Sequence, residues 1–527
     1  MNDSGFEPIW PLAVRQLKSG VGIPLLICAS VLLVCFLLLT PLTVSDFWTQ
    51  LTVGDMIRAT GRIPATVFFA FGEVANSPFV AYEWLPSLAM SVIYAHAGME
   101  GAIVFRTVLG LLIWGLLVLL SFQINRNFLL SLFVAMVSFW VITCRLPIRP
   151  EMFSFVFGLV ELNLLQCFLR TKDRRLLFAL IPLAVIWANC HGSFPVGVVI
   201  AFIFAAGAVL DELLLWRKGA QESGTICRHR LWLPFAVAGL GMAAACLLNP
   251  FGWALIAKVL SLTSSDYIRA SILEWTPLYS PNFTGSRAFS LFVLYLILVA
   301  DSLVQRPASH PARLYLFIGF FLILSIDANR HIGWFAIMGC YAMAHTLEGS
   351  RRLAERRNRN AVWLAAVLLI GCFTTSQFGN FTGVKPGFRD ESPLGAEAIA
   401  FIRKSGYKGN AFNSYGYGGK LAYYFYPRIR ITIDDRIDAY GEAYYQNFQR
   451  FDATNPLLLA EPDEFLSYFE QNELNLIVVR SLTMKVWRRW KILAALNDAG
   501  WGTVYRSAKT SVLRRNPNSS AAHVEQM

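Results

Sequence analysis

The run VGIPLLICASVLLVCFLLLTP, Val21 to Pro41, carries no charged residue and is followed closely by SDFWTQLTVG, Ser45 to Gly54. The apolar run is too long for the core of a cleaved secretory signal, and no small-residue cleavage site follows it. It therefore reads as an anchor that spans a bilayer, with Asp46 and Trp48 emerging at its end. Asp46 is then either the polar end of a hydrophobic helix or the group that the helix serves to place.

The rest of the composition agrees with a membrane chain. Of 527 residues 55% are hydrophobic and 15% charged, with 40 Phe and 15 Trp, whereas a soluble globular chain carries about 25% charged residues. Further apolar runs lie near 22–44, 100–122, 127–144, 151–170, 175–190, 194–215, 232–248, 288–304, 314–327, 331–348 and 361–378. The expected fold is a polytopic α-helical membrane protein of about 11 transmembrane helices, with a C-terminal extracytoplasmic α/β domain. With eleven spans, the basic clusters at 170–175, 216–230 and 351–359 all fall on the side of the N-terminus. Basic loops stay in the cytoplasm, so residues 1–21 are expected inside and the last 150 or so outside.

This divides the chain into a transmembrane domain at 22–378, with a first outer loop at 45–99, an outer α/β domain at 379–515 and a disordered tail at 516–527. The net charge of +12 becomes mainly a topology signal and an affinity for the lipid bilayer. It gives no reason to expect nucleic acid. Eight of the nine Cys lie in or beside apolar segments, so they read as small core residues and not as a disulfide or zinc framework.

The tail has ordinary charge density and alternating patterns. Helical patterning at 393–404, a strand at 410–413, a short helix after Gly419, the run RITID at 430–434, helices through 442–470, a strand at 474–479, a helix at 486–498 and closing strands predict a small sheet flanked by helices. Gly416-Tyr-Gly-Gly419 lacks the Lys and Ser/Thr of a phosphate loop and reads as a helix-start turn. The acidic run Asp434-Asp-Arg-Ile-Asp438 offers three carboxylates and resembles a metal-binding run, without a His or a fourth spaced ligand; a strand end leading into a turn explains Asp434 and Asp435 as well.

Under this topology the polar residues that interrupt or end apolar helices gather on one face. They include Asp46, Glu83, Arg145, Arg149, Glu151, Asn189, His191, Asn249, Asp327, Asn329, Arg330 and His331. Each alone is accounted for as a cap or a headgroup anchor. Charges of both signs with histidine at several helix ends point instead to one shared watery cavity. Tyr82-Glu-Trp-Leu-Pro86 leads into an apolar stretch too short to span, expected as a helix lying in the interface. Arg145 and Arg149 stand in a Pro-stiffened turn, and a planar guanidinium suits phosphate.

The strings SDFW-x5-G, YEWL, RPEMFSF, WANCHGSF, NPFGW and DDRIDAYG, on this architecture, resemble a poorly characterised bacterial branch of the membrane-embedded type C glycosyltransferases. The resemblance covers most of the chain. It implies a multi-pass protein of the bacterial inner membrane that moves a sugar from a polyprenyl-phosphate-linked donor to a lipid, glycan or protein acceptor on the extracytoplasmic face. Asp46 matches the catalytic acid of that family, although Phe47 stands where relatives often place a second acid. As base, Asp46 accepts the proton of the attacking hydroxyl, while Arg145, Arg149, Arg330, His191 and His331 supply positive charge to the departing phosphate. Trp48 and Trp84 are expected either to stack on sugar or prenyl faces or to belong to an aromatic belt at the interface, Glu83 is the partner acid to examine, and neither a metal nor another cofactor is expected.

Two other classes fit the composition. A polytopic transporter of an envelope lipid or glycan predicts charges at span centres and internal repeats, and the sequence reading finds none. A non-catalytic envelope assembly protein predicts that its polar helix ends tolerate substitution.

Overall fold

The computed structural model describes residues 9–18, 20–217, 231–265, 267, 269, 272–305, 310–348, 387–452 and 459–515. The expected span at 361–378, most of the basic loop at 216–230, the cluster at 351–359 and the tail from 516 lie outside the described residues. The chain divides into two compact units. One comprises residues 1–40, 103–259 and 263–387, the other 41–102, 260–262 and 388–527.

The first unit is a bundle of apolar helices. Among the described residues five helices of the chain are long and apolar enough to cross a membrane: Trp84–Asn125, Phe128–Arg145, Glu151–Thr171, Pro195–Arg217 and Ala288–Gln305. Ile9–Leu17 and Gly22–Leu38, bent by 97°, make a sixth if they count as one span. The expected spans near 175–190, 232–248, 314–327 and 331–348 are helices too, but short ones, such as Ala312–Asp327 with 16 residues and Ile332–Thr346 with 15. The chain is a multi-pass helical membrane protein.

Ile332–Thr346 is the clearest core helix, since residues 332–344 are all buried. A helix that is apolar on every side is enclosed by its neighbours. Several polar groups inside the bundle find partners, as apolar surroundings demand. The Tyr295 hydroxyl lies 2.8 Å from Ser138 Oγ and donates to the Ala336 carbonyl at 2.7 Å, and the Tyr341 hydroxyl donates to Gln166 Oε1 at 3.1 Å.

Glu161 breaks the pattern. It sits mid-helix in Glu151–Thr171, a span-centre charge that the sequence reading passed over, and it is fully buried. Among the described residues neither of its carboxylate oxygens has a hydrogen-bond partner. A buried polar group left unsatisfied costs about 1–3 kcal/mol, and more if charged. Glu161→Met, which keeps the volume and removes the oxygens, is expected to stabilise the protein by about that amount. The check is the unfolding midpoint of the full chain in detergent; a lower midpoint in the variant means that the carboxyl is satisfied.

The second unit holds the sheet. Five strands, β1 Gly409–Asn413, β2 Ile429–Ile431, β3 Leu474–Arg480, β4 Trp501–Arg506 and β5 Thr510–Arg515, lie in the order β2-β1-β3-β5-β4. β1 runs parallel to β2 and β3, whereas β5 runs antiparallel to β3 and β4. β3 is central and reads LNLIVVR, with its inner residues buried, as a strand covered on both faces requires. Helices Ala396–Lys404, Gly418–Phe425, Pro462–Gln471, Ser481–Arg489 and Ile492–Asp498 flank the sheet. The elements thus match the α/β alternation read from the tail.

Residues 41–102 fold onto this sheet within the same unit. Asp46–Thr60 is a helix, and its neighbour Trp84–Asn125 is broken at Gly98, whose φ of 57° and ψ of −150° lie outside the helical region. The break separates the short apolar stretch expected in the interface from the span that follows. The Ile431 amide donates to the Phe69 carbonyl at 3.1 Å, the Leu42 amide to the Arg389 carbonyl at 2.9 Å and the Glu391 amide to the Leu42 carbonyl at 2.7 Å.

Two glycines permit the close approaches. A Cβ on Gly54 would lie 2.1 Å from the Ser87 carbonyl oxygen, and one on Gly419 would lie 2.2 Å from Thr49 Oγ1. The glycine that closes SDFW-x5-G therefore lets two helices cross at backbone distance.

Asp452 gives this unit a pH dependence. It is buried, accepting from the Ser414 hydroxyl at 2.9 Å and the Tyr415 amide at 3.1 Å, with Arg480 at 3.8 Å. Burial raises its carboxyl from 3.8 to about 6, against the opposing pull of Arg480 and the hydrogen bonds. The folded state then holds the proton more tightly than the unfolded chain. The contribution is complete below about pH 4 and is lost as pH rises through about 6, a swing of roughly 3 kcal/mol. Asp452→Asn is expected to remove this fall, seen by comparing unfolding midpoints of variant and parent between pH 4.5 and 7.5; parallel curves would exclude it.

Candidate active site

Within the second unit Asp46 occupies the first turn of Asp46–Thr60, where the unpaired amides and the helix dipole favour a negative charge. The preceding Ser45 hydroxyl donates to Asp435 Oδ1 at 2.7 Å. Tyr415 lies against both acids: burial first, then the Asp435 and Asp46 charges, push its phenol well above the usual range. Asp46 and Asp435 thus share one neighbourhood, although 389 positions separate them.

The acidic run around Asp435 divides into different roles. Asp434 is fully buried and holds Arg436, accepting from Nη2 at 2.8 Å and from the Arg436 backbone amide at 2.8 Å. Asp435 faces Ser45. Asp438 lines a pocket together with Glu83 and Arg436. The density of three carboxylates in five residues is legible in the sequence as a metal-like run or a strand end, but nothing in the sequence places Asp435 beside Ser45. Among the described residues no three His, Cys, Asp or Glu side chains are grouped as metal ligands.

Trp48 is buried, with 1% of its surface exposed. Tyr423 and Tyr424 pack on it at 5.2 and 5.4 Å between ring centroids, its indole N–H donates to Ser392 Oγ at 3.2 Å, and Lys420 Nζ lies 5.1 Å from the ring centroid. It anchors the start of the helix that carries Asp46. Trp84 is half-buried and lines the pocket. Glu83 accepts from Gln50 Nε2, and Gln50 Oε1 accepts from the Ser87 hydroxyl.

The arginines and histidines belong to the first unit. Arg145 follows the apolar helix Phe128–Ile142 and is buried; its Nη2 reaches Glu151 Oε2 at 2.6 Å and Glu274 Oε2 at 3.1 Å. Arg149 pairs with the other oxygen of Glu274. Burial would raise the Glu274 carboxyl, but Arg145 and Arg149 outweigh it and hold it well below the usual carboxylate range. Two guanidiniums and two carboxylates therefore form a balanced frame.

Arg330 differs from these. Its guanidinium lies 4.2 Å from the Trp275 ring centroid, and among the described residues no carboxylate pairs with it. Asp327, its expected partner in a structural pair, is bonded to Arg269 instead.

His191 is buried, with Nδ1 3.0 Å from Ser154 Oγ and 2.9 Å from Ser193 Oγ. Burial, followed by the Arg330 and Arg145 charges, pushes its imidazole down to about 3, and the same causes act on His331. Both rings are neutral at physiological pH. Their expected share in the positive charge becomes a capacity to donate or accept hydrogen bonds. Asn189 caps Val185 and Leu248 carbonyls at 2.8 and 3.0 Å, and Asn249 closes its own turn on Cys246 at 2.8 Å.

No protein-family model matches the sequence, and no curated protein does. Solved structures match over nearly the whole chain. The archaeal oligosaccharyltransferase AglB from Archaeoglobus fulgidus, in complex with an inhibitory peptide and a dolichol-phosphate, superposes with a TM-score of 0.55 at 12% identity, over 95% of this chain and 75% of that one. The apo form of the Archaeoglobus fulgidus oligosaccharyltransferase gives 0.53 at 11%, over 95% and 75%. The arabinofuranosyltransferase AftD from Mycobacteria gives 0.51 at 13%, over 94% of this chain and 40% of that one.

The chain shares the fold of these transferases, the fold expected from the resemblance to the type C glycosyltransferases. At such identity the likeness is one of fold, and the particular reaction rests on the residues.

Proposed function

We propose that the protein transfers a sugar from a polyprenyl-phosphate-linked donor to an acceptor hydroxyl at the extracytoplasmic face of the bacterial inner membrane, with its N-terminus in the cytoplasm. One observation carries the reading. In a chain with the fold of enzymes such as AglB, whose structure holds a dolichol-phosphate, a carboxylate opens the helix that follows the first membrane helix. Asp46 takes the proton from the acceptor hydroxyl as its oxygen attacks the anomeric carbon. The bond from that carbon to the phosphate oxygen breaks, and the polyprenyl phosphate leaves with the electron pair.

Charge on the departing phosphate is assigned to Arg330, whose guanidinium stacks on Trp275 and is balanced by no carboxylate among the described residues. Arg145 and Arg149 hold their part of the bundle through Glu151 and Glu274, and His191 and His331 contribute neutral imidazoles. The decisive experiment is mass spectrometry of envelope glycolipids and glycoproteins from cells with and without the gene. A sugar missing from one component names donor and acceptor together, and identical profiles remove the assignment.

A transporter is the second reading, and Glu161 at the centre of a span is the observation that favours it. The Glu161→Met variant separates the two: a transferase retains sugar transfer without that carboxyl, whereas a transporter coupled to its charge stops.

A further inference from the structure

The stretch from Leu474 to Asn497 carries Arg480, Lys485, Arg488, Arg489 and Lys491 and no acidic residue. It covers β3, the helix Ser481–Arg489 and most of Ile492–Asp498. A helix turns by about 100° per residue, so Thr483, Met484 and Trp487 share one side of Ser481–Arg489, and all three are buried. The Trp487 indole N–H donates to the Phe451 carbonyl at 3.2 Å, and its ring centroid lies 5.3 Å from that of Phe465. This side fixes the helix to its unit. The opposite side presents Leu482, Lys485 and Arg489, with Arg488 on the flank and Trp490 and Lys491 just past the helix end; all six are exposed.

Leu482 shows 67% of its surface and Trp490 48%. Among the described residues none of the four cations Lys485, Arg488, Arg489 and Lys491 pairs with a carboxylate, and no aromatic ring packs on Trp490. Other exposed arginines of the same unit do face acids: Arg450 faces Glu464, Arg515 faces Glu470 and Arg389 faces Glu391. Like charges so close in the chain repel one another, and the large indole beside them meets water. An anionic bilayer surface offsets both, since headgroup phosphates attract the cations while Trp and Leu settle at the boundary of headgroups and acyl chains. A soluble anion would leave Leu482 and Trp490 in water. A second copy meeting the patch face to face would set cations against cations. The chain is itself a multi-pass membrane protein, so a bilayer is always at hand and a weak attraction suffices.

We propose that residues 481–491 dock on the anionic phospholipid of the bilayer, with Lys485, Arg488, Arg489 and Lys491 on the headgroups and Leu482 and Trp490 in the interface. The inference stands whether or not the chain transfers a sugar. The full chain is to be reconstituted in nanodiscs of equal parts phosphatidylcholine and phosphatidylglycerol, with the photoreactive residue p-benzoylphenylalanine in place of Leu482 or of Trp490. Mass spectrometry after illumination reads which molecule each site captures.

Both sites are expected to capture lipid, with phosphatidylglycerol in about five-fold excess, the factor that one cation near an anionic surface supplies. About 1 M salt, which shortens the screening length to about 3 Å, is expected to bring the two lipids level. Lys485→Gln, Arg488→Gln, Arg489→Gln and Lys491→Gln combined in one chain are expected to do the same at low salt. That variant leaves the buried side of the helix intact, so its unfolding midpoint should match the parent's. Absence of a lipid adduct at both sites, equal shares of the two lipids at low salt, a share unmoved in the combined variant, or capture of a second copy in place of lipid overturns the proposal.

Discussion

Asp46→Asn is expected to lower sugar transfer by about 10²–10⁴-fold, the usual contribution of a positioned general base, with the protein still folded. The amide has the shape of the carboxylate and cannot take up the hydroxyl proton. Losing the charge at the first turn of Asp46–Thr60 costs only about 0.3–1 kcal/mol of helix stability. The Ser45–Asp435 bond and the Trp48 anchor do not involve the carboxylate and hold the helix in place. The measurement is the envelope glycan profile of cells that carry the variant, beside its amount in the membrane. A normal profile at normal amount takes the base role from Asp46.

Arg145→Ala and Arg330→Ala are expected to fail in different ways. Removing Arg145 strands the buried Glu151 and half the bonding of Glu274. Breaking a buried pair in this manner costs about 3–5 kcal/mol, so the variant should accumulate poorly and unfold at a lower temperature whatever the ligand. Arg330 stacks on Trp275 and balances no carboxylate among the described residues. Its loss should leave the unfolding midpoint nearly unchanged and weaken binding of a polyprenyl phosphate about 10–100-fold, the range for one charge-assisted contact. Native mass spectrometry with titrated lipid phosphate reads that affinity. Equal lipid binding in Arg330→Ala and parent assigns the phosphate elsewhere.

The sequence conveyed what is local. The run at 21–41 announces a membrane helix because nothing else buries so many apolar side chains in a row. The tail declares its strands and helices by period, down to the glycine turn before Gly418–Phe425. Pairings across long separations leave no such trace. Nothing near Ser45 says that its hydroxyl meets Asp435, and nothing near Asp327 says that Arg269 takes it from Arg330.

The density of acids in DDRID was visible, but the division of labour among Asp434, Asp435 and Asp438 depends on which side of a turn each one leaves. The histidines show the other limit. Their residue type suggests a charge at neutral pH, and only burial beside arginines decides that they carry none.

The joining of residues 41–102 with 388–527 bears on how such proteins can be recombined. A donor's tail grafted onto this chain at position 388 would meet a foreign Phe69 carbonyl at the edge of β2 and a foreign Thr49 against Gly419. A graft that carries both segments together preserves these seams. The exchangeable module of this protein is discontinuous in the gene, and chimeras that respect that discontinuity are the ones to build.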